Sequence, residues 1–222
     1  PYIHYCKRSM NLSTFIYLVL IMCVPFFWYI VKSTKPKKGF SILFSSVISL
    51  SIFLFMNPFS YIGGFFLLIY LILFKRTEKL YYLFLSFISF LVAAFNLVGE
   101  SLFIATLPIM LVSSIFSLMM IGHWFLVDPT ISRVGMKNIA KASMFFATVL
   151  CLLLITGLIS NEISTLYRNI ILGLYISSGI LSLGAYKSLN ETSYTGVMAA
   201  TGLSYLSLLV SLGGTGTLIL LP

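Results

Sequence analysis

The residues of this sequence that are best suited to chemistry lie close together near its middle. His123 and Trp124 are followed by Asp128, Pro129 and Arg133. An imidazole titrates near neutral pH, whereas a carboxylate and a guanidinium are charged there. Such groups are costly in an apolar setting and mark functional sites by default. The spacing therefore predicts a ligand site made by His123, Trp124, Asp128 and Arg133, which could hold a phosphate or carboxylate headgroup.

A plain structural interpretation of the same residues competes with this one. Asp128 follows His123 by five positions, so the two share a helical face only if the helix unwinds before Pro129. A residue before proline is biased away from the helical conformation, which favours such an unwinding. In the competing interpretation Trp124 is an interfacial anchor, His123 bonds a neighbouring helix, and Asp128 ends its helix.

Two methionines next to His123 raise the question of a metal. Met119 and Met120 precede the histidine by four and three residues, and thioethers with an imidazole suit Cu(I). Methionine is also ordinary filler in apolar helices, so a copper site is only a minor alternative here. Haem held by two histidines is disfavoured because His4 is the only other histidine. A haem with one histidine ligand, or one shared across a dimer, stays open, and no cofactor follows from the sequence.

The composition indicates the elements that must position these residues. The chain has 222 residues, of which 59% are hydrophobic and only 9% charged. Soluble domains carry about 25% charged residues, so this chain cannot cover a globular surface with polar groups. Its apolar surface must face lipid, and the lipid bilayer is its first predicted partner.

Eight apolar runs separated by short polar segments predict the fold class. Strands of a membrane barrel would alternate polar and apolar residues, whereas these runs are apolar on all sides. We therefore predict an all-α, polytopic membrane helix bundle with about eight transmembrane helices in one domain over residues 10–222. The second and third runs are short, so a re-entrant pair is an alternative for them. The predicted spans are 12–31, 40–56, 59–74, 80–98, 101–127, 144–159, 169–186 and 196–221.

The basic residues predict an orientation. The formal net charge is +9, and with eight spans nearly all Lys and Arg fall in loops on one face. Cytoplasmic loops are enriched in Lys and Arg, so we expect these loops in the cytoplasm and both termini outside, in a bacterial-type cytoplasmic membrane. The loops have no aromatic stacking platform, which argues against nucleic acid as a partner.

The first nine residues form a separate question. They precede Met10, which stands directly before the first apolar run. We expect residues 1–9 to be upstream translation, a fragment edge or a disordered segment. The three cysteines, Cys6, Cys23 and Cys151, form no CxxC pair and are interpreted as small apolar residues.

Three functional hypotheses remain for a bundle of this kind. The first is a small transporter or permease for a small or lipid-like solute, with the polar site at the cytoplasmic end of the fifth helix. The second is a membrane enzyme or redox protein that acts on a lipid, quinone or haem at the same site. The third is an accessory subunit, packed against a membrane protein partner or in a homo-oligomer. The sequence has no GxSxG, HExxH or Walker motif, and it does not decide whether the protein is an enzyme.

Overall fold

The computed structural model of the protein is helical throughout its described part. It describes residues 10–73, 80–159 and 164–220, so the prediction for residues 1–9 lies outside it. Eight α-helices and no strand occur in these ranges, which confirms the predicted all-α bundle. The helices are α1 (Leu12–Thr34), α2 (Lys38–Leu54), α3 (Pro58–Ile72), α4 (Tyr81–Val98), α5 (Ser101–Val127), α6 (Arg133–Ile155), α7 (Thr165–Ser188) and α8 (Tyr194–Leu220).

Six of the helices in the described ranges are long and apolar enough to cross a membrane. The two others, α2 and α3, have 17 and 15 residues. At 1.5 Å per residue they reach about 25 and 22 Å, less than the roughly 30 Å of a bilayer core. Helix α6 starts eleven residues before its predicted span because Ser132 caps it by accepting a hydrogen bond from the Val134 amide.

Helices α1 and α5 form the centre of the bundle. In the most apolar 18-residue stretch of each of these two helices, 67% is buried inside the protein, whereas the corresponding share in the other long helices is 28–33%. On one side α1 contacts α2 and α4, and on the other side α5 contacts α6 and α8. Among the described residues the outer groups α2–α4 and α6–α8 have no substantial contact with each other. The bundle therefore consists of two outer groups joined through a central pair.

The short helices α2 and α3 form a hairpin beside α1, and α2 runs antiparallel to α1 over much of its length. The Tyr17 ring lies 5.6 Å from the Phe55 ring, and its hydroxyl is 3.1 Å from Ser60 Oγ. These contacts place the connection between α2 and α3 at the level of Tyr17. Helix α1 continues from there to Leu12, which is about 7 Å further along its axis. The hairpin thus stops short of the end of its neighbour.

Serine and threonine side chains join the helices inside the bundle. Ser207 on α8 lies 3.0 Å from Ser178 Oγ and 3.2 Å from Ser182 Oγ on α7, and it donates to the Ser178 carbonyl at 3.1 Å. Ser114 on α5 meets Ser143 on α6 at 2.9 Å. Hydrogen bonds between helices help them to associate where water is absent. These hydroxyls therefore stabilise the packing of the helices.

The ends of α1, α5 and α7 and the starts of α2, α6 and α8 meet at one end of the bundle. Gly135 at the start of α6 packs so closely on Thr34 at the end of α1 that a Cβ there would lie 2.4 Å from Thr34 Cγ2. We call this the basic end, because it carries most of the described cations. These are Lys32, Lys35, Lys37, Lys38, Arg133, Lys137, Lys141 and Lys187.

Candidate functional site

Asp128 is the centre of the candidate site at the basic end. It follows the last residue of α5 and its amide closes the helix on the Trp124 carbonyl. The carboxylate is buried, accepts a 2.6 Å hydrogen bond from the Thr130 hydroxyl, and lies 3.2 Å from Lys37 Nζ. This is the one ion pair within the described residues. It ties the end of α5 to the segment that enters α2.

These contacts lower the pKa of the Asp128 carboxyl below its ordinary value. The hydrogen bond from the Thr130 hydroxyl is the largest cause, burial opposes it, and Lys37 lowers the pKa further. Because each of these partners stabilises the ionised form, Asp128 is a carboxylate at neutral pH. It can hold Lys37 in place, but it is not a proton donor there.

Trp124 lies one turn before Asp128 and packs against the start of α2. Its ring is 5.9 Å from the Phe40 ring, and a Cβ on Gly39 would lie 2.8 Å from Trp124 Cη2. Gly39 is therefore required for this close approach. The indole Nε1 is shielded from solvent and has no hydrogen-bond partner within the described part of the chain. A buried N–H without a partner costs free energy, so this group needs an explanation.

The start of α2 adds further hydrogen-bond donors beside that indole. Lys37 is the N-cap residue, and its side chain makes no capping hydrogen bond. The first amides of a helix have no partner within the helix, and the helix dipole places partial positive charge there. Lys37 uses one of its three ammonium protons on Asp128, and 72% of its side chain is exposed. Apart from Asp128, the groups here are donors, a set that suits an acceptor such as a carboxylate or phosphate oxygen.

Arg133 takes a different position from the one that the sequence suggested. Its guanidinium donates to the backbone carbonyls of Glu191, Thr192 (2.9 Å) and Ser193 (3.2 Å), in the connection between α7 and α8. It also lies 5.3 Å from the Phe125 ring centroid. Arg133 therefore holds the α7–α8 connection against the start of α6. No described contact joins it to Asp128.

His123 lies on an exposed face of α5, away from the buried Asp128. Val127, one turn further on, is 66% exposed on that side, whereas Met119 is buried and Met120 half-buried. No group of three His, Cys, Asp or Glu residues that could hold a metal occurs in the described part of the chain. The structure thus brings Trp124 and Asp128 together at α2, but separates them from His123 and Arg133.

Three residues of the site, Lys37, Gly39 and Thr130, were not predicted from the sequence. Thr130 had a local signal, because an aspartate carboxylate often accepts from the backbone amide two residues on, as Asp128 does here from the Thr130 amide at 3.4 Å. Lys37 had none beyond its charge, since it stands far from Asp128 in the chain and was counted only as a loop cation. Gly39 is identified only by the ring that packs on it.

The helices and their apolar surfaces define an integral, multi-pass membrane protein. Comparisons with protein-family models, with curated proteins and with solved structures find no match to the chain.

Proposed function

We propose that the protein is a small membrane permease in which the Lys37–Asp128 pair closes the basic end. One observation supports this above the others. The one ion pair of the described residues joins α2, in one outer group, to the central α5, and Trp124, one turn before Asp128, has a buried indole N–H without a partner among those residues. A buried carboxylate and a buried N–H without a described partner at the same helix end favour a functional role over a purely structural one.

The arrangement of the helices supports the same proposal. Within the described ranges the groups α2–α4 and α6–α8 are joined through α1 and α5 and have no substantial contact with each other. A small rotation of α2–α4 against the rest would separate Lys37 from Asp128 without disturbing the close α7–α8 packing. Rocking of one helix group against another is how many secondary transporters alternate access.

The donors at the site define the class of solute. The Trp124 indole, the Lys37 ammonium and the first amides of α2 all favour an acceptor oxygen, so the proposed solute is a small anion with a carboxylate or phosphate group. Such an anion would compete with Asp128 for Lys37. Binding would then loosen the contact that keeps this end closed.

Transient currents from proteoliposomes on a solid-supported membrane test the proposal. Concentration jumps of inorganic phosphate, acetate and a series of short carboxylates provide the probes. We expect at least one anion to give a saturable current in the wild type, and Lys37→Gln to abolish it because the ammonium is lost. Lys38→Gln, with the same charge change on the neighbouring residue, is the control and should retain the current.

Trp124 fluorescence provides an independent measure of binding. The chain has two tryptophans, so Trp28→Phe leaves Trp124 as the only one. The anion that produces a current should change Trp124 emission with the same concentration dependence. If none of the anions changes either signal in folded protein, the permease proposal is wrong.

An accessory subunit is the second candidate, and the outer face of α7 and α8 favours it. Gly173, Gly202 and Gly216 have open space where a Cβ would stand, and small residues allow a close approach of a further helix. Co-purification of one partner at fixed stoichiometry from native membranes, or a homo-oligomer in mild detergent, would support this role. The enzyme or redox hypothesis has no such contact in its favour, because His123 and Asp128 do not converge.

We also propose that the basic end faces the cytoplasm and that both termini lie outside, as in a bacterial-type cytoplasmic membrane. Eight described cations gather at that end, against Arg168 at the start of α7 on the other, and this bias is the usual signal of orientation. Reporter fusions at the C-terminus and in the α5–α6 connection test it. A reporter that works only outside the cytoplasm should be active at the C-terminus. A reporter that works only in the cytoplasm should be active in the α5–α6 connection.

A further inference from the structure

We propose that the outward face of α6 at the basic end binds the headgroup of an anionic phospholipid. The site consists of Lys137 and Lys141 on α6, with Lys32 and Trp28 of α1 on one side and Tyr186 of α7 on the other. It lies apart from the Lys37–Asp128 pair, and it does not depend on the permease proposal.

The two lysines of α6 form the centre of the proposed lipid site. They are four residues apart, so they lie on one face of the helix, where like charges repel. Lys141 is exposed and Lys137 half-exposed. Neither has an ion pair with a described carboxylate, since the one such pair is Lys37–Asp128. One turn further into the bundle, the same face presents Phe145, which is 62% exposed. The face therefore passes from cations to an aromatic ring, as a phospholipid passes from phosphate to glycerol and acyl chain.

Contacts to both neighbouring helices set the width of this site. On one side the Asn138 amide donates to the Tyr29 hydroxyl at 2.5 Å and ties α6 to α1. On α1, Lys32 Nζ lies 4.9 Å from the centre of the Trp28 ring, and Trp28 directly precedes Tyr29. On the other side Lys141 Nζ lies 5.3 Å from the centre of the Tyr186 ring on α7. The lysines of α6 are thus flanked by a tyrosine ring of α7 and by α1, which carries a third lysine over the tryptophan next to Tyr29.

The chemistry of these groups favours a lipid phosphate. Ammonium groups near the membrane surface attract acidic headgroups, and basic pockets between helices are typical sites for them. Tryptophan and tyrosine rings lie at the level of the headgroups and pack on the glycerol region. A soluble anion would use the lysines but not Phe145, so the exposed ring favours a lipid over free phosphate.

Quenching of Trp28 by brominated lipids tests the proposal. The Trp124→Phe variant of the full chain retains Trp28 as its only tryptophan and is reconstituted in phosphatidylcholine nanodiscs. Dibrominated phosphatidylglycerol and dibrominated phosphatidylcholine are added at equal mole fraction. We expect the acidic lipid to quench with an apparent association constant at least about fivefold larger, since each lysine near a membrane surface contributes about a factor of five.

Two lysine variants separate a site from general surface charge. Lys137→Gln/Lys141→Gln should reduce the preference for phosphatidylglycerol to near unity. Lys38→Gln, which lies at the same end on α2, should leave the preference unchanged. Equal quenching by both lipids in the Trp124→Phe protein with its lysines intact would overturn the proposal. So would equal losses in both variants, which would indicate surface charge alone, or a preference that survives the double substitution. Retained melting behaviour in detergent checks that each variant is folded.

Discussion

Replacing Gly196 by alanine tests the contact between the end of α7 and the start of α8. Gly196 lies in the first turn of α8 and is buried. A Cβ there would lie 2.5 Å from the Ser188 carbonyl oxygen and 2.9 Å from Glu191 Cβ. The nearer atom belongs to the backbone, so no rotation of a side chain can relieve the overlap. The turn that carries the carbonyls bound by Arg133 would have to move.

The expected size of the effect follows from two opposing contributions. Overpacking a well-packed site by one methyl costs about 1–3 kcal/mol. Alanine in place of glycine favours a helix by up to about 1 kcal/mol, and less in the first turn. We therefore expect Gly196→Ala to lower the free energy of unfolding by about 1–2 kcal/mol. Gly202→Ala is the matched control in the same helix, because nothing lies within 4 Å of its added Cβ. It should raise that free energy by up to about 1 kcal/mol.

Unfolding by sodium dodecyl sulfate in mixed micelles, followed by circular dichroism, measures the difference between these two variants. The midpoint for Gly196→Ala should fall below the wild type, and the midpoint for Gly202→Ala should stay at or above it. Equal midpoints for the two variants would refute the argument that the α7–α8 turn packs directly on α8. A loss of stability in Gly202→Ala alone would indicate that its face is covered in the folded protein.

Three further predictions address the site, the hairpin and the hydroxyl contacts. Because the folded protein lowers the pKa of Asp128, the ionised carboxylate stabilises the fold above the ordinary carboxyl pKa of about 4, and this stabilisation is lost as the pH falls below that value. In pH-dependent melting, acid should therefore reduce the stability advantage of the wild type over Asp128→Asn. In nanodiscs of a variant without native cysteines, a charged maleimide should label Glu100→Cys much faster than Met56→Cys at the hairpin tip. Ser207→Ala should lower the free energy of unfolding by about 1 kcal/mol, and Ser177→Ala, an exposed serine bonded only within its helix, should not.

The helices could be predicted from the sequence because lipid allows few alternatives. Each apolar run must satisfy its own backbone, so a long run without polar residues becomes a helix. The shortness of α2 and α3 was also visible, because Asn57 and Pro58 interrupt the apolar sequence; the Asn57 side chain does accept from the Phe59 amide to start α3. The start of α6 was missed because its first two turns are basic rather than apolar.

The candidate site could be predicted only in part, for a geometric reason. Spacing along one helix places Trp124 near Asp128, and the structure keeps these two together. It does not reveal partners from other helices, so Lys37 was invisible as the counter-ion of Asp128. His123 and Arg133 were grouped with Asp128 because they are close in sequence. Helix rotation turns His123 to the outside, and the loop carbonyls attract Arg133.

The unequal helix lengths have a consequence for the surrounding lipid. On the side of the bundle formed by α2 and α3, the longer of these two helices is about 25 Å long, whereas the 27 residues of α5 reach about 40 Å. Phe53 and Met56 near the hairpin tip are more than 70% exposed and must stay in hydrocarbon. The leaflet beside them has to thin by several ångström, at fractions of a kcal/mol per ångström of mismatch. The protein should therefore accumulate in thinner bilayers and favour lipids with shorter acyl chains along that one side.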